Sequence, residues 1–437
     1  MSNRPSGPDP VTLLRDTRWT AGVIGLGYVG LPLLLTAANR GLGAIGFDVS
    51  SERVSKLRSG RSHVDDVSDE DLKSATSKGA EFSSDPSRLA EADALFICVP
   101  SPLGRSRQPD LSYIESAANT VEEVARPGQL IVLESTSYPG TTEEFLLPAI
   151  EGAGLTLDES VYLAFSSERV SPGDAFTLEE IPKVVGGLSD RSGMVAEAAY
   201  KRLFPTVHRV SSARSAELTK LLENTYRAVN IGLINEMAQL AHELNIDIWE
   251  VIEAAATKPF GFHPFYPGPG VGGHCIPLDP QYLSWRAREA NFSTRFIDVA
   301  EQVNNGMPAY NVSRIADLLN SKGLPVFGTE VLGVGISYKA DIADDRESAS
   351  LEVLKELAAR GAQISVLDPV LGGDRIRERG YTAVTIDDEL SRFKLAAILT
   401  DHTGIDYAKI AREVPIVYDT RGVYRRRGLA PTNVVPL

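Results

Sequence analysis

Short apolar runs alternate with helical stretches over the first half of the chain. From Trp19 to about residue 210, each run rich in β-branched residues is followed by a Gly, Pro or Ser turn and then by helical spacing. This alternation predicts a parallel sheet covered by helices. Residues 1–18 are expected to form a polar N-terminal tail, which places the first domain at residues 19–210.

The pattern changes in the middle of the chain and then returns. Ser212 to about Leu244 contains no proline and a single glycine, with apolar residues at helical spacing, which predicts one long helix or two stacked ones. The α/β alternation resumes from Leu324. We therefore expect an α/β protein with two Rossmann-like, doubly wound parallel-sheet domains at 19–210 and 319–437. A helical middle segment with a long central helix, at 211–318, joins them.

Composition excludes several classes of function. The chain has 44 Lys and Arg against 58 Asp and Glu, a net charge of −14, which argues against nucleic acid or an anionic membrane as the main partner. Two cysteines and six scattered histidines give neither a disulfide framework nor zinc-ligand spacing, so no metal is expected. No segment has the length of a membrane span or the apolar core of a signal peptide, which indicates a cytoplasmic protein.

A glycine motif follows the first apolar run. Gly25, Gly27 and Gly30 stand between a strand and a helix, where glycines let the backbone approach a pyrophosphate at the helix N-terminus. Asp48 ends the next strand about 20 residues further on, where a carboxylate binds the ribose 2′-hydroxyl and repels a 2′-phosphate. The motif predicts NAD binding, and the alternative is a tight turn that binds nothing.

Polar residues also stand at the ends of later strands of the first domain. They are Pro100 and Ser101, then Glu134, Ser135 and Thr136, and then Glu168. The carboxyl ends of strands at the switch point of such a sheet bind ligands, and a carboxylate there could activate a water. Ordinary turn chemistry is the alternative for each of them.

Lys220 and Asn224 lie four residues apart in the long helical segment and therefore share one face. Apolar neighbours predict that this face is buried, and a buried lysine needs a partner. An ammonium beside an amide would stabilise an oxyanion at a carbonyl carbon. A solvated pair of side chains is the alternative.

Cys275 follows a loop with glycines at 268, 270, 272 and 273, which allow the backbone to approach a ligand closely. Pro277 suits the first turn of a helix, whose N-terminus would stabilise a thiolate, and Asp279 follows one turn after Cys275. These features favour a nucleophilic cysteine over a buried structural one. Cys98, in an apolar run, is expected to belong to the core.

The second α/β domain carries an incomplete glycine pattern with basic residues after it. Gly333 and Gly335 match the first two glycines, the third is missing, and Lys339, Arg346 and Arg421 follow. This arrangement indicates a nucleotide site of a different shape, with cations for phosphate. The alternative for each basic residue is a solvated surface charge.

Seven motifs, in order from about residue 20 to residue 425, resemble the nucleotide-sugar dehydrogenase family, the UDP-glucose and UDP-N-acetylhexosamine 6-dehydrogenases. They are GLGYVGLP, CVPSP, ESTSYPGTT, SERVSPG, the Lys220/Asn224 helix, GPGVGGHCIPLDP and SYKADIADDRES. The resemblance implies an NAD-dependent, four-electron oxidation of the C6 alcohol of a UDP-sugar to a carboxylate. It also implies a homodimer or higher oligomer that serves polysaccharide biosynthesis.

The resemblance assigns roles to single residues. Cys275 would hold the aldehyde as a thiohemiacetal and then carry the acyl group as a thioester. Lys220 and Asn224 would stabilise the oxyanion, while Asp279 would position water or assist proton transfer. Glu168 would be the base for thioester hydrolysis. Thr136 is the sixth member of this catalytic set, because it matches a hydroxyl that orders water.

The resemblance also implies two sets of binding residues. The cofactor set is Gly25, Gly27, Tyr28, Val29, Gly30, Asp48, Arg53, Val99, Pro100, Ser101, Ser135 and Thr136. The substrate set is Glu168, Arg169, Val170, Lys220, Asn224, Phe265, Tyr266, Gly272, Gly273, Lys339, Arg346 and Arg421.

The chain departs from the UDP-glucose enzymes at two positions. Many of those carry a second glutamate where this chain has Pro172, and a proline where it has Ser167. The loop before Cys275 looks closer to bacterial UDP-N-acetylhexosamine enzymes. The expected reaction is therefore UDP-N-acetylglucosamine to UDP-N-acetylglucosaminuronate, with UDP-N-acetylmannosamine or UDP-glucose as the alternative substrate.

Two other functions share part of this pattern. A single-step β-hydroxyacid dehydrogenase also pairs a glycine-rich NAD domain with a Lys-x-x-x-Asn helix, but it has no use for the Cys275 loop or for a second nucleotide domain. A non-catalytic sensor of NAD or a nucleotide sugar would not need the catalytic set.

Overall fold

The computed structural model describes residues 9–64, 67–104, 108–169, 179–273 and 276–437. It divides into two compact units, of which the first comprises Met1–Glu223 and Gln281–Asn291 and the second Asn224–Pro280 and Phe292–Leu437. Each unit contains one sheet of the kind that the sequence predicts. Within the described residues, no helix has the length and apolar character that crossing a membrane requires.

The sheet of the first unit has eight strands among the described residues, in the order β3-β2-β1-β4-β5-β6-β7-β8. Neighbouring strands are parallel except for β6 and β7, which are antiparallel. The order reverses between β1 and β4, the kind of point at which such sheets bind ligands. The strands are β1 (Thr20–Ile24), β2 (Gly43–Phe47), β3 (Ala80–Ser83), β4 (Ala94–Ile97), β5 (Leu130–Leu133), β6 (Tyr162–Phe165), β7 (Lys183–Gly187) and β8 (Val207–Val210).

Helices cover both faces of this sheet. Successive strand residues point to opposite sides, and because both sets are apolar here, each face needs a cover. Val23 and Phe96 belong to the core on one face, and Ile24 and Ile97 to the core on the other. A 3₁₀ turn at Pro86–Glu91 and a π-helical turn at Thr142–Leu146 complete the unit. The helices are α1 (Pro10–Asp16), α2 (Gly30–Asn39), α3 (Ser51–Arg58), α4 (Asp69–Ser77), α5 (Ser112–Val124), α6 (Leu147–Gly152) and α7 (Asp190–Leu203).

Helix α1 lies within the segment that was expected to be a polar tail. Pro10 occupies its first turn, where the missing N–H costs nothing. Leu14 is buried in the same core as β1, and the Trp19 indole N–H donates to the Leu14 carbonyl at 2.9 Å. A single buried leucine and its link to Trp19 therefore attach this segment to the first unit.

The middle of the chain forms one long helix, α8 (Ala213–Glu243), which begins in the first unit and ends in the second. It is followed by α9 (Ile248–Ala256), α10 (Asp279–Glu289) and α11 (Arg295–Ser321). In the second unit α8 packs on α11, since a Cβ added at Gly232 would lie 3.2 Å from the Ala300 methyl. Asn304 secures the pair by donating to the Ala228 carbonyl at 3.1 Å.

The sheet of the second unit has six parallel strands among the described residues, in the order β11-β10-β9-β12-β13-β14. The strands are β9 (Glu330–Val334), β10 (Gln363–Leu367), β11 (Thr382–Ala383), β12 (Leu395–Ile398), β13 (Val417–Asp419) and β14 (Val434–Pro436). Its helices are α12 (Ala349–Ala359), α13 (Gly372–Glu378), α14 (Tyr407–Glu413) and α15 (Val423–Arg426). The predicted fold class, two doubly wound sheets and a long central helix, is confirmed.

Candidate functional site

The glycine turn of the first unit has two glycines that the fold itself requires. Gly25 has a φ of +92°, and a Cβ there would lie 2.7 Å from the Cys98 carbonyl oxygen. A Cβ on Gly30 would lie 1.9 Å from the Gly25 carbonyl oxygen. A Cβ on Gly27, by contrast, would meet no described atom within 4 Å. The turn therefore leaves open space at the glycine that a pyrophosphate would approach.

Asp48 supplies the carboxylate that a dinucleotide site needs. It follows β2, is 3% exposed, and accepts hydrogen bonds from the Leu26 N–H at 3.0 Å and the Ser50 N–H at 2.9 Å. Arg53 donates to it at 2.8 Å. Burial alone would raise the pKa of Asp48, but these donors outweigh it and lower that pKa. The residues present thus fit NAD, with an ionised acceptor for the ribose.

The other expected cofactor residues include those that follow two neighbouring parallel strands, β4 and β5. Val99, Pro100 and Ser101 follow β4, and Ser135 and Thr136 follow β5. The Ser135 hydroxyl donates to the Val99 carbonyl at 2.7 Å, which joins the two strand ends. The two remaining members of the set stand in the glycine turn before α2, and they are Tyr28, which is 45% exposed, and the partly buried Val29.

A buried ionic cluster lies beside these strand ends. Lys183, the first residue of β7, has its Nζ 2.8 Å from Glu168 Oε2 and 3.1 Å from Glu134 Oε2. The Tyr200 hydroxyl of α7 donates to the other Glu134 oxygen. Sequence reasoning named both glutamates but missed Lys183 and Tyr200. The only signal was a lysine at the start of an apolar run.

Burial and charge oppose each other within this cluster. Burial alone would lower the pKa of Lys183, but the two carboxylates outweigh it and raise that pKa. Burial raises the pKa of Glu134, and the charge of Glu168 adds to the effect. Cys98 lies in the core behind it, as expected, and burial raises the pKa of its thiol. Cys98 is therefore a neutral thiol and not a reactive one.

Lys220 finds its partner in the first unit. It is 9% exposed, and its ammonium donates to the Glu168 carbonyl at 2.7 Å. Arg169, the next residue after Glu168, pairs with Glu223 of α8 at 3.1 Å and donates to the Pro182 carbonyl at 2.8 Å. Helix α8 is thus bound to the segment that follows β6 at two adjacent residues.

Asn224, one turn after Lys220, finds its partner in the second unit. Its side-chain amide donates to Asp279 at 2.5 Å, and both residues are buried. Helix α10 begins at Asp279, so the expectation that Pro277 stands in its first turn is wrong. Pro280 takes that place, because the chain is still in a turn at 276–278. Cys275, Val170 and Pro172 lie outside the described residues.

The glycines before Cys275 permit close contact with protein rather than with open space. A Cβ on Gly268 would lie 2.6 Å from Arg421 Nη1, and one on Gly272 would lie 2.8 Å from the Glu347 carbonyl oxygen. Gly273 has a φ of +80° and packs against the Tyr338 ring. The loop at 268–273 therefore packs closely against the α/β domain that carries the expected substrate-binding cations.

Those cations are held by neighbouring groups. Arg421 follows β13 and donates through Nε to the Leu399 carbonyl at 2.8 Å, and burial lowers its pKa to about 10. Arg346 is 2.6 Å from Asp344. Lys339 is partly buried in the turn after β9. All three are basic side chains of the second domain, and basic side chains are the usual ligands of phosphate.

The glycine pattern of the second unit is offset from the expected one. Gly335, with a φ of +77°, follows β9 as Gly25 follows β1, so Gly335 is the counterpart of the first glycine and not of the second. Ser337 stands in the place of Gly27 and is fully buried. A side chain therefore fills the place in the second unit that open space occupies at Gly27 in the first.

The two expected aromatic residues lie on other rings of the second unit. Tyr266 stacks on Trp249 with ring centroids 6.1 Å apart, and Phe265 meets Tyr226 edge-on at 5.8 Å. Tyr266 remains 49% exposed. Among the described residues, no group of three or more His, Cys, Asp or Glu side chains could hold a metal ion.

Comparison with known proteins gives a consistent result over nearly the whole chain. Residues 20–204, 214–306 and 332–426 match the NAD binding, central and UDP binding domains of the UDP-glucose/GDP-mannose dehydrogenase family. Protein CapL of Staphylococcus aureus is 34% identical over 92% of this chain and 95% of its own. UDP-N-acetyl-D-glucosamine 6-dehydrogenase of Pseudomonas aeruginosa is 35% identical over 83% and 86%.

A solved structure agrees with these relatives. The UDP-D-ManNAc dehydrogenase of Pyrococcus horikoshii superposes with a TM-score of 0.83 at 30% identity, covering 95% of this chain and 98% of its own. The resemblance drawn from the motifs and the NAD requirement are both confirmed. The chain belongs to the UDP-glucose/GDP-mannose dehydrogenase family of NAD-dependent oxidoreductases.

Proposed function

We propose that this enzyme oxidises the C6 alcohol of UDP-N-acetylglucosamine to the carboxylate, with four electrons passing to two NAD molecules. The observation that carries the proposal is the buried face of α8. There Lys220 and Asn224 stand one turn apart, the first bound to the Glu168 carbonyl and the second to Asp279. An ammonium and an amide so placed can stabilise an oxyanion, as oxidation through a thiohemiacetal requires.

The first unit holds the cofactor. When bound, NAD supplies the acceptor for the hydride that leaves C6 in each oxidation. Gly27 leaves open space that the pyrophosphate would occupy, and the Asp48 carboxylate would accept hydrogen bonds from the ribose hydroxyls. The backbone N–H groups of Leu26 and Ser50 hold Asp48 as an ionised acceptor, which is the form that the ribose would require.

The second oxidation proceeds through a covalent intermediate on Cys275. The sulfur adds to the C6 aldehyde to give a thiohemiacetal, whose oxygen Lys220 and Asn224 stabilise. Loss of hydride gives a thioester. The water oxygen then adds to the carbonyl carbon while Glu168 accepts a proton, and the C–S bond breaks to return the thiolate. One alcohol and one water thus give one acid, two hydrides and two protons.

Two further residues assist these steps. Asp279 holds Asn224 through its hydrogen bond and is placed to assist proton transfer. Thr136 stands at the carboxyl end of β5, next to Ser135, and we assign it the ordering of the attacking water. Both roles follow the pattern of the family.

The second α/β domain holds the nucleotide part of the substrate. The chain carries a net charge of −14, so an anionic diphosphate must be bound by a few placed cations. Lys339, Arg346 and Arg421 are the cations that we assign to this role. Phe265 and Tyr266, shortly before Gly268 in the loop that packs on Arg421, are assigned to the same site.

The choice of sugar rests on the relatives. The Pseudomonas aeruginosa relative is named for UDP-N-acetyl-D-glucosamine, and the Pyrococcus horikoshii structure for UDP-D-ManNAc. An N-acetylated sugar is common to both names. We place UDP-N-acetylglucosamine first and UDP-N-acetylmannosamine second, ahead of UDP-glucose, in a pathway of polysaccharide biosynthesis. A thiol nucleophile favours a reducing compartment, and we propose the cytoplasm.

A panel of UDP-sugars incubated with NAD tests this proposal. Two NADH per sugar consumed, with UDP-N-acetylglucosamine giving the highest kcat/KM, is the expected result. One NADH per sugar would indicate a single-step dehydrogenase. Binding of NAD and sugar nucleotide without any NADH would indicate a sensor.

We also propose a homodimer formed through α8. Tyr226, Leu233 and Leu240 follow one another at intervals of seven residues and are 51%, 54% and 48% exposed, and such a stripe is typical of a helix–helix interface. Light scattering should give twice the chain mass of 47.2 kDa. The double variant Leu233→Asp/Leu240→Asp should give the monomer mass, and a monomeric wild type would reject the proposal.

A further inference from the structure

Lys183 is more deeply buried than Lys220, and the proposed chemistry gives it no role. Its side chain is 3% exposed and lies between two carboxylates, Glu134 at 0% and Glu168 at 17% exposed. The centroid of the Phe204 ring also lies 5.2 Å from the Lys183 ammonium. Desolvation of an ammonium is costly, and the two carboxylates compensate that cost, so the loss of Lys183 would leave both of them without their cation.

Contacts with the described residues hold Glu168 at three of its atoms. Its Oε2 accepts from Lys183 at 2.8 Å, and its Oε1 accepts from the Arg169 N–H at 2.6 Å. Its backbone carbonyl accepts from Lys220 at 2.7 Å. Two lysines therefore fix this residue, one through the carboxylate and one through the main chain, and Lys183 is the one that orients the carboxylate.

Lys183 also balances the charge of the cluster. Two carboxylates close together cannot both remain ionised without a cation, so one of them would take a proton if Lys183 were neutral or absent. Glu134 already has a raised pKa, which burial causes first and Glu168 second. The Tyr200 hydroxyl donates to Glu134 and so stabilises it from the other side.

We propose, building on the proposed function, that Lys183 is a positioning residue for hydrolysis of the Cys275 thioester. Its ammonium holds Glu168 as an oriented carboxylate that accepts a proton from the attacking water. The water oxygen bonds to the carbonyl carbon, the C–S bond breaks, and the sulfur leaves as the Cys275 thiolate. No electron is transferred in this step, so neither oxidation should depend on Lys183.

Rapid mixing of enzyme, NAD and UDP-N-acetylglucosamine separates the two stages. The oxidations give a burst of two NADH per active site, and hydrolysis then sets the steady rate. In Lys183→Met the burst should persist while the steady rate falls about 10²-fold, the size of a general-base contribution. Intact-protein mass spectrometry should show the acyl group accumulating on the chain. Lys183→Arg, which keeps the charge, should retain most of the steady rate.

The pH profile distinguishes positioning from a merely structural effect. The charged and titratable groups that face Glu168 come from several elements, and the described ones are Glu134, Lys183, Tyr200, Lys220, Arg169 and Cys98. Without Lys183 the carboxylate of Glu168 protonates more easily, so the acidic limb of the steady rate should move to higher pH. In Lys183→Met/Glu134→Gln it should move part of the way back, because a like charge is also removed.

The outcomes separate this inference from the proposed function. A wild type that gives no NADH with any UDP-sugar overturns both. A wild type with two NADH per sugar, together with a Lys183→Met variant whose burst and steady rate fall equally at an unchanged acidic limb, overturns only the role of Lys183. If Lys183→Met does not fold, the double variant, which leaves one carboxylate in the cluster, gives the same decision.

Discussion

The two sheets of this protein share a strand order but differ in the space that they leave for a ligand. The order β3-β2-β1-β4-β5-β6 in the first sheet corresponds to β11-β10-β9-β12-β13-β14 in the second. In each sheet a glycine with positive φ follows the strand that comes first in the chain (β1 or β9), and an aspartate follows the next one (β2 or β10). Gly25 and Asp48 are this pair in the first unit, and Gly335 and Asp368 in the second. The fold therefore cannot be what distinguishes their ligands.

The difference lies in what surrounds the two aspartates. Asp48 accepts from two backbone N–H groups and Arg53, beside the open space at Gly27. Asp368 is enclosed, because its oxygens accept from the Ile336 N–H at 2.8 Å and from the His402 ring at 3.1 Å. Both carboxylates are buried, at 3% and 2% exposed, so the contrast lies in the turn beside them: Gly27 leaves open space in the first unit, whereas the buried Ser337 fills the corresponding place in the second. Where the first sheet has open space beside its glycine turn, the second has a buried side chain, internal hydrogen bonds to Asp368 and basic residues in the same domain.

Loss of the proposed nucleophile, Cys275, should have the largest effect on activity. It tests whether the reaction needs a covalent intermediate in addition to the two nucleotide sites. Cys275→Ala should reduce acid formation to background while both ligands still bind, because no thioester can form. The measurements are acid yield and NAD affinity by calorimetry. Cys98→Ala is the matched control, since its thiol lies in the core and should leave two NADH per sugar. Normal acid formation by Cys275→Ala would refute the covalent route.

Gly27→Ala tests the open cradle directly. A Cβ there meets no described atom within 4 Å, so the melting temperature should not change. The methyl occupies the space of the pyrophosphate, so NAD affinity should fall by about tenfold or more, while UDP-sugar affinity is retained. Ser337→Ala, at the corresponding position of the second sheet, should leave NAD affinity unchanged. Equal NAD affinity in Gly27→Ala and wild type would show that the cradle does not bind the cofactor.

Arg421→Lys tests the cations of the second sheet. Arg421 is fixed through Nε by the Leu399 carbonyl, and a lysine loses both that bond and the planar fork that suits phosphate. The KM for the UDP-sugar should rise about tenfold while NAD affinity stays constant. Arg412→Lys, on an exposed side chain of the same domain, should alter neither value. A change in NAD affinity would contradict the division between the two sheets.

The sequence predicted the parts of the site that depend on residues close together in the chain. The glycine turn, the acid after β2 and the Lys220/Asn224 spacing are local, and period-2 and helical patterns gave both sheets and the long helix. Lys183 escaped because its partners Glu134 and Glu168 are 49 and 15 residues away. Its burial between them arises from tertiary packing, and no local pattern identifies a lysine that two distant carboxylates will enclose.

Long-range packing also explains two of the expectations that needed revision. The glycines before Cys275 predicted close approach, but only the fold shows that Arg421, Tyr338 and Glu347 are what they approach. The glycine pattern of the second domain was aligned one glycine too early. The residue at which β9 ends decides which glycine begins the turn, and the sequence pattern alone does not show where β9 ends. The contacts of Cys275 itself and the sugar's C2 substituent depend on geometry that local sequence does not encode.

The smallest predicted effect concerns the loop that carries Arg346 on the second sheet. Asp345 accepts from Arg375 at 2.9 Å and from Arg379 at 2.6 Å. Hydrogen bonds from Arg379 and Arg375 lower its pKa to about 2, below the ordinary 3.8. Because the folded pKa is depressed, this stabilisation is full at neutral pH and is lost as the pH falls from about 4 towards 2.

Asp345→Asn should therefore lower the free energy of unfolding at pH 7 by at most about 2 kcal/mol, since both arginines are partly exposed and screened. The difference from wild type should shrink in urea titrations at pH 3, where the wild-type carboxylate begins to protonate. Asp374→Asn, on the same surface but 96% exposed, should show no difference at either pH. A deficit in Asp345→Asn that persists unchanged at pH 3 would mean that shape rather than charge holds this loop. The cations of the second sheet would then be positioned by packing, as the glycine turn of the first sheet is.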